Sequence, residues 1–280
     1  MLESRIGFMQ GRLSPVMDGK IQEFPWNTWQ EEFIQASSLG FGIMEWTLDQ
    51  YCLFDNPLMT KNGQSEIKSL MNVYDIKIPS LTGDCFMQAP FWKLYGNEMQ
   101  DRKNDLISIV DACSKIGIGQ VVIPLVDGGR VQHIDQSNAL LDFLTEKEDF
   151  IADRGIKVLF ESDFSPDELK NFIQSLNPMV FGINYDIGNS AALGFEIEKE
   201  FFAYGDRILN VHVKDRVLKG ATVPLGYGNA KFAKIFKQLA MIGYSGNFIL
   251  QTARADNGDH SGVLSLYKAM VEEWIINNGP

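Results

Sequence analysis

Short β-rich apolar runs alternate with longer amphipathic stretches along the whole chain, and no low-complexity linker interrupts them. This rhythm narrows the fold more than any single motif, because it is the pattern of parallel strands joined by crossover helices. The strand candidates are Ile6–Met9, Gly42–Trp46, Ile78–Leu81, Gln120–Leu125, Lys157–Phe160, Gly182–Tyr185, Ile208–Val213 and Phe248–Gln251, eight in all. Helices are expected over Thr28–Leu39, Gln64–Tyr74, Glu98–Ile116, Ser137–Ala152, Asp167–Leu176, Ala230–Ile242 and Ser261–Asn277. Asn27, Ser165 before Pro166, and Asn229 are their start signals, and Gly40, Gly117, Gly155 and Gly243 their stops. Between Ser190 and Gly205 a helical pattern is broken at Gly194.

Eight strands each followed by a helix predict an α/β fold, a single (β/α)8 TIM barrel over residues 1–280, although an open doubly wound sheet shares the alternation. With 280 residues, 45% of them hydrophobic, the chain is long enough for one such core. Chemistry in a barrel sits where strands end. Walking those ends gives Gln10 and Arg12, Glu45, Asp84, Asp127, Glu161, Asp186, then His212 with Lys214 and Asp215, and finally Gln251. Side chains alternate faces along a strand, so Asn210, His212 and Lys214 share one face, as do Asn184 with Asp186, Leu159 with Glu161, and Ile249 with Gln251.

Two carboxylates and an imidazole converging on one mouth suit one divalent ion such as Mn²⁺, Zn²⁺, Co²⁺ or Mg²⁺. The plainer alternative makes His212 a hydrogen-bonded core histidine and Asp186 a helix cap, but it leaves unpaired carboxylates at the ends of apolar strands, which is costly. Lys and Arg number 25 against 36 Asp and Glu, a formal charge of -11, so nucleic acid is not an expected partner. The start lacks a signal-peptide layout and no run reaches the roughly 20 apolar residues of a membrane span, so a cytoplasmic protein without membrane contact is expected. Cys52, Cys85 and Cys113 are too scattered for a disulfide framework or a zinc knuckle. Arg12 and Arg254 come from strands that adjoin in a closed barrel and are expected to grip a substrate phosphate. The glycine-rich LGYGN at Leu225–Asn229 lacks a P-loop lysine and reads as a tight turn ahead of a helix. Trp46 and the CFMQAPFW loop are candidate aromatic walls for a substrate.

The segments MQGRLSP at Met9–Pro15, FES at Phe160–Ser162, YDIGN at Tyr185–Asn189, VHVKD at Val211–Asp215 and LGYGNAKF at Leu225–Phe232 form an ordered set covering nearly the whole chain. The set resembles the xylose isomerase-like barrel superfamily, in particular its sugar-phosphate isomerase/epimerase branch. The resemblance implies a metal-dependent isomerase or epimerase of a sugar or sugar phosphate, acting by proton transfer next to a carbonyl. Glu161, Asp186, His212 and, at the fourth position, Gln251 then look like metal ligands. Glu161 and Lys214 look like catalytic groups, and Arg12, Glu45, Asn189, Asp215 and Arg254 like substrate-side residues. The histidine-rich DNA-repair endonuclease branch fits less well, since His133, His212 and His260 are the whole histidine complement. A keto-sugar or keto-inositol dehydratase, or a sugar-binding barrel that has lost turnover, are the alternatives. A homo-oligomer is compatible with the sequence.

Enzymes of this resemblance usually carry glutamate where this chain has Gln251. An amide can coordinate a hard cation but brings no charge and exchanges no proton. With Glu161 as lone base, isomerisation or dehydration is expected to be easier than epimerisation, unless Asp256, Asp259 or a metal-bound water replaces the missing carboxylate.

Overall fold

The computed structural model describes residues 5–16, 19 and 21–280. Its strands are β1 (Ile6–Met9), β2 (Met44–Thr47), β3 (Ser80–Thr82), β4 (Gln120–Leu125), β5 (Lys157–Ser162), β6 (Phe181–Asp186), β7 (Ile208–Val213), the short β8 (Asp215–Arg216) and β9 (Thr222–Val223), and β10 (Asn247–Leu250). Eight close into a parallel barrel in the order β1-β10-β7-β6-β5-β4-β3-β2, while β8 and β9 form an antiparallel pair beyond the end of β7. This is the (β/α)8 TIM barrel. Among the described residues, no helix is long and apolar enough to cross a membrane.

Helix ends follow local chemistry with a few departures. Ser165 and Glu168 form a reciprocal capping box at the helix Pro166–Gln174. The segment after β6 divides into the helices Ile187–Leu193 and Ile197–Tyr204 because Gly194 adopts φ 72° and ends the first. The expected helix Ser137–Ala152 likewise divides, into Ile134–Glu146 and Glu148–Ala152. Two expected cap residues do not cap: Thr28 and Lys231 occupy those positions. Asn229 instead accepts a hydrogen bond from the Leu218 N–H through its side chain.

The main apolar core lies between barrel and helices, with Phe8, Trp46, Phe160, Phe181 and Phe248 fully buried. Inside the barrel, Met9, Ile43 and Ile249 form a small apolar plug, and a Cβ at Gly7 would lie 2.5 Å from Ile43 Cγ2. Leu159 shares the inward face of Glu161, and polar side chains make up much of the remaining interior. Asn184 and Asn210 face inward, as strand parity requires, and Asn210 Nδ2 donates to Asn184 Oδ1 at 2.9 Å. The pairing of β6 with β7 slips between Ile183 and Asn184, and after this slip Asp186 stands beside His212.

Candidate active site

The mouth opens into a cavity of about 480 Å³ whose walls include Arg12, Gln22, Asp84, Glu161, Asn189, Lys214, Arg216 and Gln251. Glu161 lines it, and β5, β6 and β7 bring Glu161 together with the buried Asp186 and His212, with a ligand atom from each within 4.8 Å of the others. Strand parity found these three because each is the last inward residue of its strand.

The imidazole is held on both sides. Its Nε2–H donates to Glu45 Oε1 at 2.7 Å, and Nδ1 lies 3.0 Å from Glu161 Oε2. Glu45 also accepts from Ser80 Oγ and Thr82 Oγ1, each at 2.6 Å, and from Asn210 Nδ2 at 2.9 Å. Burial disfavours the imidazolium, but Glu45 and Glu161 outweigh it and push His212 up to about 10. Burial likewise opposes the Glu161 carboxylate, yet His212 and Lys214 keep its pKa below the usual range. Glu161 further accepts from Asn189 Nδ2 at 2.7 Å and from Asn184 Nδ2 at 3.0 Å.

Asp186 divides its carboxylate between two tasks. Oδ1 accepts the Asn189 N–H at 2.7 Å and so caps the helix Ile187–Leu193. Oδ2 is buried and 2.7 Å from Lys214 Nζ, an ion pair without a well-directed hydrogen bond. Burial raises the Asp186 pKa, and Lys214 pulls it partly back. Lys214 Nζ also donates to Gln251 Oε1 at 2.8 Å, so the fourth expected ligand spends its oxygen on an ammonium group.

These donors fit a divalent ion. A buried carboxylate oxygen without a directed partner, a second carboxylate and an imidazole whose Nε2 is already committed leave O, O and N atoms within 4.8 Å of one another.

Several expected substrate residues stand elsewhere. Glu45 is sealed beneath His212, wholly buried, because its four donors all lie inside the barrel. Asp215 is also fully buried, accepting the N–H groups of Gly226 and Gly228 at 2.9 Å and of Ala230 at 3.1 Å. The LGYGN turn therefore wraps a carboxylate, and a Cβ at Gly228 would come 2.2 Å from Asp215 Oδ1. Arg254 donates to the carbonyls of Gly11 and Ser14, which commits both its terminal nitrogens to the segment after β1. Arg12 lines the cavity but donates to Thr252 O at 3.0 Å, Ile21 O at 2.9 Å and Gln22 Oε1 at 3.2 Å. The two guanidiniums thus clamp loops. Asn189 does reach the cavity, and Arg216 Nη1 donates to its Oδ1 at 2.8 Å.

Trp46 points into the outer core, donates to Asn56 Oδ1 and packs edge-on against Trp29, so it walls no sugar. Asp256 and Asp259 line a different cleft, and Asp259 caps the last helix by accepting the Gly262 N–H at 2.9 Å. Neither replaces a carboxylate at position 251. Asn184 and Asn210 were legible as amides two residues before Asp186 and His212 on the inward face; Gln22, from an irregular segment, carried no such signal.

Residues 33–269 match the family model described as xylose isomerase-like TIM barrel. The chain belongs to this family. It is 23% identical over 270 residues to SgbU of Haemophilus influenzae, a provisionally assigned L-ribulose-5-phosphate 3-epimerase, covering 89% of this chain and 91% of that protein. With UlaE of Salmonella paratyphi A, named an L-ribulose-5-phosphate 3-epimerase, it shares 24% over 240 residues, 80% of this chain and 81% of the relative. Among solved structures, an L-ribulose 3-epimerase superposes with a TM-score of 0.75 at 13% identity, covering 98% of this chain and 95% of that one. A xylose isomerase domain protein from Planctomyces limnophilus gives 0.73 at 16%, covering 99% of both. At such identities these superpositions bear on the fold alone, which they share.

Proposed function

We propose that the protein is a divalent-metal-dependent isomerase or epimerase of a sugar or sugar phosphate. The observation that carries this reading is the convergence of Glu161, Asp186 and His212 beside the cavity that Glu161 lines, with Glu45 bonded to the far nitrogen of the His212 ring. Glu161, Asp186 and His212 would hold the ion, which when bound supplies Lewis-acid polarisation of a carbonyl and its neighbouring hydroxyl. The chain's own groups do the rest. Glu161 takes the proton from the carbon beside the carbonyl, and its two asparagine donors hold the carboxylate in place for that transfer. Lys214, between Asp186 and Gln251, places positive charge where oxygen becomes negative, and Arg216 adds positive charge to the cavity for a phosphorylated substrate. The relatives named for L-ribulose 5-phosphate support a ketose phosphate as the substrate class.

The test combines two measurements on purified protein. Mn²⁺ or Co²⁺ should raise the melting temperature of wild type but not of His212→Ala, and solvent deuterium should enter the carbon beside the carbonyl of a ketose or its phosphate. Absence of both responses would sink the proposal; deuterium entry followed by loss of water would redirect it to a dehydratase.

A further inference from the structure

Gln251 leaves the site one proton-transfer group short for inversion at carbon, which needs a base on one side and an acid on the other. Three carboxylates line the cavity among the described residues: Glu161, Asp84 and Asp127. Asp127 is exposed at the rim, whereas Asp84 is only 7% exposed. Asp84 follows β3 directly and opens the short helix Asp84–Gln88, two strands around the ring from Glu161. It is joined to position 251 by a side-chain relay. Gln22 Nε2 donates to Asp84 Oδ2 at 2.6 Å, and Gln22 Oε1 accepts from Gln251 Nε2 at 3.2 Å. The amide at 251 is thereby linked, across the exits of β1 and β2, to a buried carboxyl group that lines the same cavity.

We propose that Asp84 is the second proton-transfer residue of this site, supplying the acid that Gln251 cannot. This rests on the sugar-epimerase reading above. Glu161 removes the proton from the carbon beside the carbonyl; the C–H electron pair forms the enediolate double bond and the carbonyl pair moves onto oxygen. Asp84 then gives its proton to the same carbon from its own side, the carbonyl reforms, and configuration is inverted. Glu161 leaves as the acid and Asp84 as the carboxylate, and exchange with water restores both. No oxidant or reductant is needed.

The surroundings of Asp84 suit that task. Asp49 after β2 and Glu161 on β5 repel a negative charge there, Arg12 after β1 and the Gln22 amide favour one, and the thiol of the adjacent Cys85 stays protonated. Burial dominates, with Asp49 next, and the carboxyl is pushed up to about 7. An acid near neutrality is suited to donate and recover a proton at neutral pH.

The experiment compares wild type, Asp84→Asn, Asp84→Glu and Glu161→Gln on L-ribulose 5-phosphate and a panel of free and phosphorylated ketoses in deuterated water. Epimerisation and deuterium entry are followed by NMR, and folding is checked by thermal melting. For Asp84→Asn, kcat for epimerisation is expected to fall about 100-fold or more, with loss of the pH limb near neutrality, while deuterium still enters the substrate carbon without inversion. Asp84→Glu retains that limb at reduced rate, and Glu161→Gln loses exchange and inversion together. Wild-type kcat in Asp84→Asn, or a change confined to KM, overturns the assignment of Asp84 alone. If wild-type protein exchanges no substrate proton in any of these sugars, the epimerase reading itself falls and Asp84 with it.

Discussion

Glu45→Gln is the sharpest test of how this site holds its histidine. The wild-type carboxylate is fully buried and accepts four hydrogen bonds, from His212, Ser80, Thr82 and Asn210. A glutamine offers one oxygen and one donating NH₂. With the amide oxygen kept toward His212 Nε2–H and Thr82, the NH₂ faces Ser80, whose hydroxyl can rotate to accept, and Asn210 Nδ2, a donor that then meets a donor. Loss of the charged hydrogen bond costs about 1.5–3 kcal/mol, and removing the group that orients a metal-binding histidine typically weakens the ion about 10–100-fold. The pH dependence has a definite sign. In metal-free protein His212 titrates at about 10, above its ordinary 6.5, so the stability it contributes is complete below about pH 6.5 and lost as pH rises through about 10. The variant should therefore be most destabilised near pH 6, and the gap should close toward pH 10. Thermal melts with chelator across that range, Mn²⁺ or Co²⁺ titration by calorimetry, and nitrogen NMR of the ring tautomer measure each part. Equal melting at pH 6, with unchanged metal affinity and tautomer, would refute the argument that Glu45 fixes the ring.

Three further outcomes are expected. Gln251→Glu adds a carboxylate where Lys214 Nζ now donates at 2.8 Å, and should tighten divalent-ion binding by about tenfold or more, since close charge pairs carry several kcal/mol at intermediate dielectric; an unchanged Kd in calorimetry contradicts it. Asp84→Asn should stabilise the metal-free protein at pH 8 but not at pH 4. The Asp84 pKa is raised from 3.8 to about 7, so the stability of its protonated form is full below 3.8 and is lost as pH rises through about 7, on the order of 4 kcal/mol as an upper bound; parallel melting curves of the two proteins against pH would count against it. Arg254→Ala should speed hydrogen exchange in residues 11–16, whose Gly11 and Ser14 carbonyls it holds, without altering preference for phosphorylated over free sugar; a lost phosphate preference would return Arg254 to the substrate site.

The sequence by itself determined the alternation of strands and helices, which an open doubly wound sheet would share, and closure of the ring belongs to the tertiary structure. The limits of β1, β4 and β7 agree with the apolar runs Ile6–Met9, Gln120–Leu125 and Ile208–Val213, because each run gives way to polar or turn-forming residues within two positions and faces alternate regardless of what packs against them. The same local rule turned Glu161, Asp186 and His212 inward, and the capping box at Ser165 and the break at Gly194 were equally local. What lies inside a closed ring is set differently. Glu45 and His212 are 167 residues apart, and only closure puts the carboxylate beneath the ring instead of in the mouth. Arg12 and Arg254 do come from adjoining strands, but whether a guanidinium meets substrate or a backbone carbonyl depends on loop paths after β1 and β10 that no periodicity encodes. The relay from Asp84 through Gln22 to Gln251 joins three barrel exits, and its partners became neighbours only when β1, β3 and β10 took their places around the barrel.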